Sequence, residues 1–299
     1  MKRIFIIYES RYDGLSSLLK DDNYSEKTMG EILWFSSLIK YLLTLRNVRV
    51  IHCRKEINFV HYLNKLRNHN PFLIMDYMTI PKSLNYIDFN NTYCMCYWGR
   101  RNEKDIKELG TKNNKTFPYK NILTPFNYDN FNTFLGYNLD IICPKFNYQK
   151  YKKDYGILWG KDKEFINLKL VKKLIDKGIK FYSTSKTKLN IPGIVDLGIL
   201  PKREWSLLLH NCKFILGSGK PSSGPTILEA LYYKTLLFCP KRQIPKTCKD
   251  NQNIHLIDKL EIDKLYNKIK TTKFKNDEKT KFLCDSKFFE KRVKNIFSL

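Results

Sequence analysis

The sequence predicts an α/β fold with two parallel β-sheets, one in each half of the chain. Its 299 residues suit two compact domains of roughly 150 residues each. In both halves, short apolar runs alternate with segments whose apolar residues recur at helical spacing. Strands that alternate with helices pair in parallel through right-handed crossovers. We therefore predict one domain at residues 1–150, a second at residues 151–275, and a C-terminal helix at residues 276–299 that packs back toward the first domain.

The first half contains three apolar runs that are typical of buried strands, at residues 4–8, 48–51 and 72–75. Between the first two runs, apolar residues such as Ile32, Phe35 and Leu38 recur at helical spacing. This spacing predicts a helix at residues 31–45 with one face toward the core.

The second half repeats the alternation more regularly. Four strands are predicted at residues 155–159, 179–182, 214–216 and 236–239. Helical patterns occur at residues 164–176, 202–210, 225–233, 261–270 and 278–297. This order of elements predicts a second parallel sheet with its own helices.

The most unusual global feature is a formal net charge of +25, from 54 Lys and Arg against 29 Asp and Glu. A basic balance of this size is found in many nucleic-acid-binding proteins. The lysines are dispersed, however, and the chain is rich in Lys, Asn, Ile, Tyr and Phe, the set that AT-rich coding favours. We therefore expect a general attraction for anions, such as a nucleotide diphosphate or an RNA backbone.

The apolar runs are too short for a membrane helix, which needs ~18 to 20 residues. Only a few apolar residues follow Lys2 and Arg3, too few for a signal peptide. The eight cysteines lack the spacing of metal ligands, and the one close pair is Cys94 and Cys96. Reduced, mostly buried thiols are the better interpretation. These observations predict a cytoplasmic protein without a membrane span.

A glycine-bearing loop joins the strand at 214–216 to the next helix. Glycines allow backbone amides to approach an anion, and a helix start adds free N–H groups. Pro225 suits the first helical position. The spacing fits neither a Walker loop nor G-x-G-x-x-G, so a simple tight turn is an equal alternative. Glu229, one turn into the helix, would then only compensate the helix dipole.

Several segments together resemble glycosyltransferase family 18, the N-acetylglucosaminyltransferase V enzymes. The specific part covers about a hundred residues, with weaker similarity upstream. The similar segments are residues 30–38, 124–126, 132–137, 155–161, 190–200, 205–209, 219–230 and 239–241.

This resemblance implies a GT-B fold, in which two Rossmann-like domains face each other across a cleft. It also implies inverting transfer of GlcNAc from UDP-GlcNAc to a mannose-containing N-glycan or glycoprotein acceptor, through a β-1,6 linkage. Glu31 matches the family's catalytic base, which takes the proton of the acceptor hydroxyl. The alternative is a first-turn Glu that favours the helix dipole. The resemblance implies donor-binding roles for Gly219, Ser223, Gly224, Pro225, Glu229 and Lys241.

Within this set, Glu229 corresponds to the carboxylate that accepts hydrogen bonds from the donor ribose. Lys241 lies in Cys-Pro-Lys, where the family has Asn-Pro-Lys. Ser223 stands where the family has Glu, so the choice of sugar is open. The sequence contains no Asp-x-Asp motif, so we expect transfer without a metal or other cofactor, with Lys241 and helix amides stabilising the leaving diphosphate.

Two other functions remain compatible with the sequence. One is a GT-B enzyme that uses a different donor, such as a GDP-sugar. The other is a non-catalytic basic protein that binds RNA, which would explain the charge but would leave Glu31, Glu229 and Lys241 without a role. The motif match makes nucleic-acid binding the less favoured alternative.

Overall fold

The computed structural model describes residues 2–8, 30–76, 89–96, 121–126, 133–147, 153–160, 162–217, 225–258 and 260–299. The chain divides into two compact units. Unit 1 comprises Met1–Lys20, Glu31–Asn138 and Phe289–Leu299, and unit 2 comprises Asp21–Gly30 and Leu139–Phe288. Each unit contains a parallel sheet in which six strands are described. The predicted α/β class with two parallel sheets is confirmed.

The sheet of unit 1 has the strand order β2-β1-β3-β4-β5-β6. All of its pairings are parallel. The strands are β1 (Arg3–Tyr8), β2 (Val48–Cys53), β3 (Phe72–Asp76), β4 (Thr92–Met95), β5 (Ile122–Thr124) and β6 (Thr133–Phe134). The first three are the strands that the apolar runs predict.

Three of the described helices lie wholly or mostly in unit 1, namely α1 (Gly30–Thr44), α2 (Glu56–Leu66) and α9 (Ser286–Phe297). α1 differs from its prediction, because every residue from Glu31 to Ile39 is buried and not only one face. The helix tolerates this burial because Ser36 and Ser37 donate their hydroxyl protons to the carbonyls of Leu33 and Trp34, at 2.9 and 2.8 Å.

α9 brings the end of the chain onto the sheet of unit 1. The ring of Phe297 is completely buried. It makes edge contacts with Phe5, Phe72 and Tyr93, with ring centroids 5.1, 5.8 and 4.8 Å away. Aromatic pairs in this geometry stabilise a core beyond their buried area, so α9 is an integral part of unit 1.

The sheet of unit 2 has the strand order β12-β11-β10-β7-β8-β9, again with parallel pairing. Counted from β7, this is the 3-2-1-4-5-6 order of the Rossmann fold. The strands are β7 (Lys153–Leu158), β8 (Lys180–Ser183), β9 (Ile194–Asp196), β10 (Cys212–Leu216), β11 (Leu236–Cys239) and β12 (Ile254–Leu256). The strand order reverses between β7 and β10, which are neighbours in the sheet.

The described helices of unit 2 include α4 (Leu168–Asp176) and the two that position the site described below, α5 (Lys202–Asn211) and α6 (Thr226–Tyr232). The others are α3 (Leu139–Ile142), α7 (Ile262–Thr271) and α8 (Glu278–Cys284). The helix predicted from residue 164 begins only at Leu168, because the side chain of Asn167 accepts a hydrogen bond from the amide of Leu170 and caps the helix there.

The helix predicted at residues 278–297 is two helices, α8 and α9. Asp285 separates them in an extended conformation, with φ −80° and ψ 110°. Its carboxylate accepts a hydrogen bond from the amide of Lys287 at 2.9 Å. An aspartate that caps in this way starts a new helix, and the helical spacing of the apolar residues does not reveal the break.

A layer of phenylalanine rings forms the centre of unit 2. Phe181, Phe214 and Phe238 are buried and meet edge to face, at centroid distances of 6.0 and 5.8 Å. Gly156 on β7 leaves room for this layer, since a Cβ there would lie 2.4 Å from the Phe214 ring. The eight cysteines are free thiols, and all except the half-buried Cys284 are buried, which confirms the expectation of mostly buried thiols.

Within the described ranges, no helix is long and apolar enough to cross a bilayer.

Candidate active site

The carboxyl ends of β7 and β10 form the point at which the strand order of unit 2 reverses. The amide of Trp159, just past β7, donates to the carbonyl of Leu216 at 2.9 Å. The amide of Gly217, just past β10, donates to the carbonyl of Phe238 at 2.8 Å. Open α/β sheets bind ligands in the crevice beyond such a reversal point. The glycine-bearing loop therefore starts where a ligand site is expected.

Gly217 is held in a space that admits no side chain. A Cβ at this position would lie 2.5 Å from Oε1 of Gln243 and 2.8 Å from the Trp159 ring. Glycine at this position therefore lets the end of β10 pack directly against the side chains of Gln243 and Trp159. The loop continues through Gly219, Ser223 and Gly224, and these three predicted donor-binding residues lie outside the described residues.

Pro225 lies immediately before α6 and is buried. Its backbone is already helical, with φ −63° and ψ −17°, and its carbonyl accepts a hydrogen bond from the amide of Glu229 at 2.8 Å. The prediction of a helix from residue 225 is therefore accurate to one residue. α6 follows β10, so it begins at the carboxyl edge of the sheet.

Glu229 belongs to a buried polar cluster between α6 and α5. Its side chain forms an ion pair with the ammonium of Lys202, and its other oxygen accepts a hydrogen bond from Nε1 of Trp205 at 3.3 Å. Lys202 also donates to the hydroxyl of Ser206 at 3.0 Å. The side chains of Lys202 and Glu229 are only 3% and 2% exposed. Both charges are thus almost fully removed from water.

The surroundings of Lys202 favour its charged form. Burial by itself lowers the pKa of the ammonium, but the Glu229 carboxylate, supported by Cys143 and the direct hydrogen bond, raises the pKa by more. The pKa of Lys202 therefore lies above its ordinary value, and the lysine remains protonated at neutral pH.

Lys241 is exposed and follows β11, the strand next to β10. Its amide donates to the carboxylate of Asp258, beyond β12, at 2.6 Å. The bond fixes the backbone at the start of this loop and leaves the ammonium in solvent. The predicted donor-binding residues that are described, Pro225, Glu229 and Lys241, thus follow two adjacent strands at the same edge of the sheet.

Glu31, the predicted base, belongs to unit 1. It is the second residue of α1 and is 9% exposed. Since α1 follows β1 and leads to β2, its first turn lies at the carboxyl edge of the unit 1 sheet. The next turn is fixed by Trp34, whose ring N–H donates to the carbonyl of Gly136 at 2.8 Å.

The sequence interpretation did not include Lys202 or the contact between Trp205 and Glu229. Trp205 lies in a segment that resembles the family, but nothing in the spacing links it to a residue 24 positions later. A lysine at a helix start normally indicates an exposed side chain, so the sequence offers no signal for Lys202. Among the described residues, no three His, Cys, Asp or Glu side chains are grouped as metal ligands would be.

Comparison with solved structures shows a similar fold in a known glycosyltransferase. The chain matches AviGT4, a glycosyltransferase involved in avilamycin A biosynthesis, with a TM-score of 0.60 and 10% identity, over 98% of this chain and 97% of that one. A glycosyltransferase from Rickettsia africae ESF-5 matches with a TM-score of 0.49 and 10% identity, over 99% and 94% of the two chains. The pneumococcal O-GlcNAc transferase GtfA, solved in complex with UDP and GlcNAc, matches with a TM-score of 0.48 and 14% identity, over 88% of this chain and 59% of that one.

The two Rossmann-like sheets and the likeness to AviGT4 confirm the predicted GT-B fold class. A search of curated proteins finds no match to the sequence. In the comparison with protein families, residues 55–270, well over half of the chain, match glycosyltransferase family 18. The match begins after α1, so Glu31 lies outside it. The chain therefore belongs to glycosyltransferase family 18, and the protein is a glycosyltransferase.

Proposed function

We propose that this enzyme transfers GlcNAc from UDP-GlcNAc to a mannose-containing glycan or glycoprotein, with inversion at the anomeric carbon, through a β-1,6 linkage, and without a metal ion. The observation that supports this proposal best is the position of Pro225, Glu229 and Lys241 along one edge of the unit 2 sheet, beside the strand reversal. Dinucleotides and related ligands bind at that place in folds of this order.

Lys241 is the proposed partner of the leaving diphosphate. When the glycosidic bond breaks, negative charge accumulates on the diphosphate and must be stabilised. Lys241 offers an exposed ammonium at the carboxyl edge, and its backbone is held by Asp258. The amides at the start of α6, after Pro225, are the second proposed source of positive charge.

Glu229 is the proposed acceptor for the hydroxyls of the donor ribose. A carboxylate has about four lone-pair positions, and Lys202 and Trp205 use one on each oxygen. Counting only the hydrogen bonds that the described residues make, one position per oxygen is left for a vicinal diol. Glu229 is 1% exposed, so the nucleotide reaches it only if neighbouring groups move upon binding.

Glu31 is the proposed general base. It would take the proton of the acceptor hydroxyl while that oxygen attacks the anomeric carbon on the side opposite the nucleotide. Glu31 is buried in the first turn of α1. Resemblance to the family carries this assignment.

A donor panel tests the proposal. Hydrolysis and transfer are measured with UDP-GlcNAc, UDP-glucose, GDP-mannose and GDP-fucose, with a mannose-containing oligosaccharide as acceptor. We expect turnover with UDP-GlcNAc and a β-configured product by NMR. Turnover only with a GDP-sugar would replace the donor assignment, and an α-configured product would refute inversion. RNA binding without any turnover would favour the non-catalytic alternative.

A further inference from the structure

The buried ion pair connects two helices that both begin at the carboxyl edge of the unit 2 sheet. Lys202 is the first residue of α5, which follows β9, and Glu229 is the fourth residue of α6, which follows β10. We propose that Lys202 is a positioning residue, which holds the Glu229 carboxylate in a fixed orientation for the hydroxyls of the donor ribose. This inference rests on the ribose-binding role of Glu229 in the proposed function.

Helix stability does not account for a lysine at this position. The first turn of a helix carries the positive end of its dipole, which disfavours a cation. Burial of the ammonium adds a desolvation cost that an ion pair often does not recover, compared with apolar residues of the same size. The side chain of Lys202 is nevertheless 3% exposed and directed to Glu229 and Ser206. The arrangement is therefore better explained by what it does to Glu229.

Lys202 and Trp205 together restrain both oxygens of the carboxylate. Lys202 pairs with Oε1 and the Trp205 ring donates to Oε2, so the carboxylate plane cannot rotate without breaking one contact. Without Lys202, Oε1 of Glu229 would lose this partner, and the carboxylate would no longer be held in one orientation. The direction of the lysine pKa, above its ordinary value, agrees with a charged pair.

The test compares two nucleotides that differ only in the ribose hydroxyls. Dissociation constants of UDP and 2′,3′-dideoxy-UDP are measured by calorimetry for the wild type and for Lys202→Met. Because hydrogen bonds to a charged group are strong, we expect the wild type to bind UDP about tenfold or more tightly than dideoxy-UDP. Lys202→Met should bind dideoxy-UDP as the wild type does and should lose most of the preference for UDP.

Lys213→Met is the matched control. Lys213 is another partly buried lysine of unit 2, on β10, paired with Asp154 at 3.8 Å and donating to the carbonyl of Lys270. Its replacement should leave both dissociation constants unchanged. If Lys202→Met does not fold, Lys202→Gln keeps a hydrogen-bond donor at this place without the charge, and it should also lose most of the preference.

The outcomes separate this inference from the proposed function. If the wild type prefers UDP and a folded Lys202 variant keeps the same preference, Lys202 does not position Glu229 and the inference is wrong, while the ribose role stands. An equal loss for both nucleotides would mean that Lys202 only supports the fold, which also refutes the inference. If the wild type binds UDP but does not distinguish it from dideoxy-UDP, the ribose role of Glu229 itself fails.

Discussion

Arg3 donates a hydrogen bond from Nη1 to the carbonyl oxygen of Phe297 at 2.7 Å, which ties β1 to α9. The Phe297 ring is completely buried against unit 1. We expect Phe297→Ala to lower the free energy of unfolding of unit 1 by about 3 to 5 kcal/mol, the usual cost of removing a buried phenylalanine. Denaturant unfolding followed by circular dichroism measures this loss.

Phe288→Ala is the control for that experiment. Phe288 lies on the same helix but is 37% exposed, so its replacement should cost much less. Equal losses for the two variants would mean that the packing of Phe297 on unit 1 contributes little.

Glu31→Gln should remove the general base and leave the fold intact, because the two side chains have nearly the same shape. We expect the transfer rate to fall on the order of 10²-fold or more. Single-turnover kinetics with the thermal midpoint measured in parallel is the appropriate assay. Glu56→Gln, in the first turn of α2 and exposed, is the matched control with no expected effect. Normal turnover by folded Glu31→Gln would rule out Glu31 as the base.

Transfer should persist in EDTA. The sequence contains no Asp-x-Asp motif, and the proposal assigns the charge of the leaving diphosphate to Lys241 and helix amides. The initial rate is measured after exhaustive chelation and again after addition of Mn²⁺. Loss of activity in EDTA that Mn²⁺ restores would refute the metal-independent mechanism.

Lys241→Ala should weaken UDP binding, because it removes the proposed diphosphate cation at the carboxyl end of β11. A contact with a charged group contributes about 1.5 to 3 kcal/mol, so the dissociation constant should rise roughly tenfold or more. Lys234→Ala is the control, since Lys234 is also an exposed lysine and lies just before the opposite end of the same strand. Equal effects of the two substitutions would indicate only a general attraction of the basic surface.

Ser223→Glu tests the choice of sugar. Serine is neutral and two heavy atoms shorter than the Glu of the family, so the wild type should discriminate less between N-acetylated and plain sugars. One hydrogen bond to a neutral group is worth about 0.5 to 1.5 kcal/mol, and the variant should shift the preference up to about tenfold. Turnover is compared for UDP-GlcNAc, UDP-GalNAc, UDP-glucose and UDP-xylose. A strong wild-type preference for UDP-GlcNAc that Ser223→Glu does not change would show that residue 223 does not select the sugar.

The sequence predicts the long, strongly apolar strands correctly and misses the short ones. β1 and β3 are mostly buried, so their sequences are continuous apolar runs that can be recognised. β6 has two residues and β9 has three, which are too few to show a periodic pattern. The sheet pairing stabilises these short strands, and local sequence does not. The same limit applies to α1, whose unusual burial follows from its tertiary contacts.

The residues of the candidate site also fall into two groups, those that local sequence predicts and those that only the fold reveals. Family motifs and loop chemistry are local, so the sequence alone predicts Pro225, Glu229 and Lys241 as donor-binding residues, and the fold brings them to one edge. The partner of Glu229 is 27 residues away and is a lysine among many. Only the packing of α5 beside α6 distinguishes Lys202 from the others, and no one-dimensional pattern encodes that packing.

The position of α9 has a consequence for how the protein is made. The ribosome synthesises β1 first and Phe297 only after all of unit 2. The strands of unit 1 therefore wait, with the surface that Phe297 covers still exposed, while unit 2 already has every residue of its sheet and can fold as the chain emerges. Contacts between residues that are far apart in the sequence also form slowly during folding. The residues of the unit 2 sheet are thus all made before the helix that completes the core of unit 1.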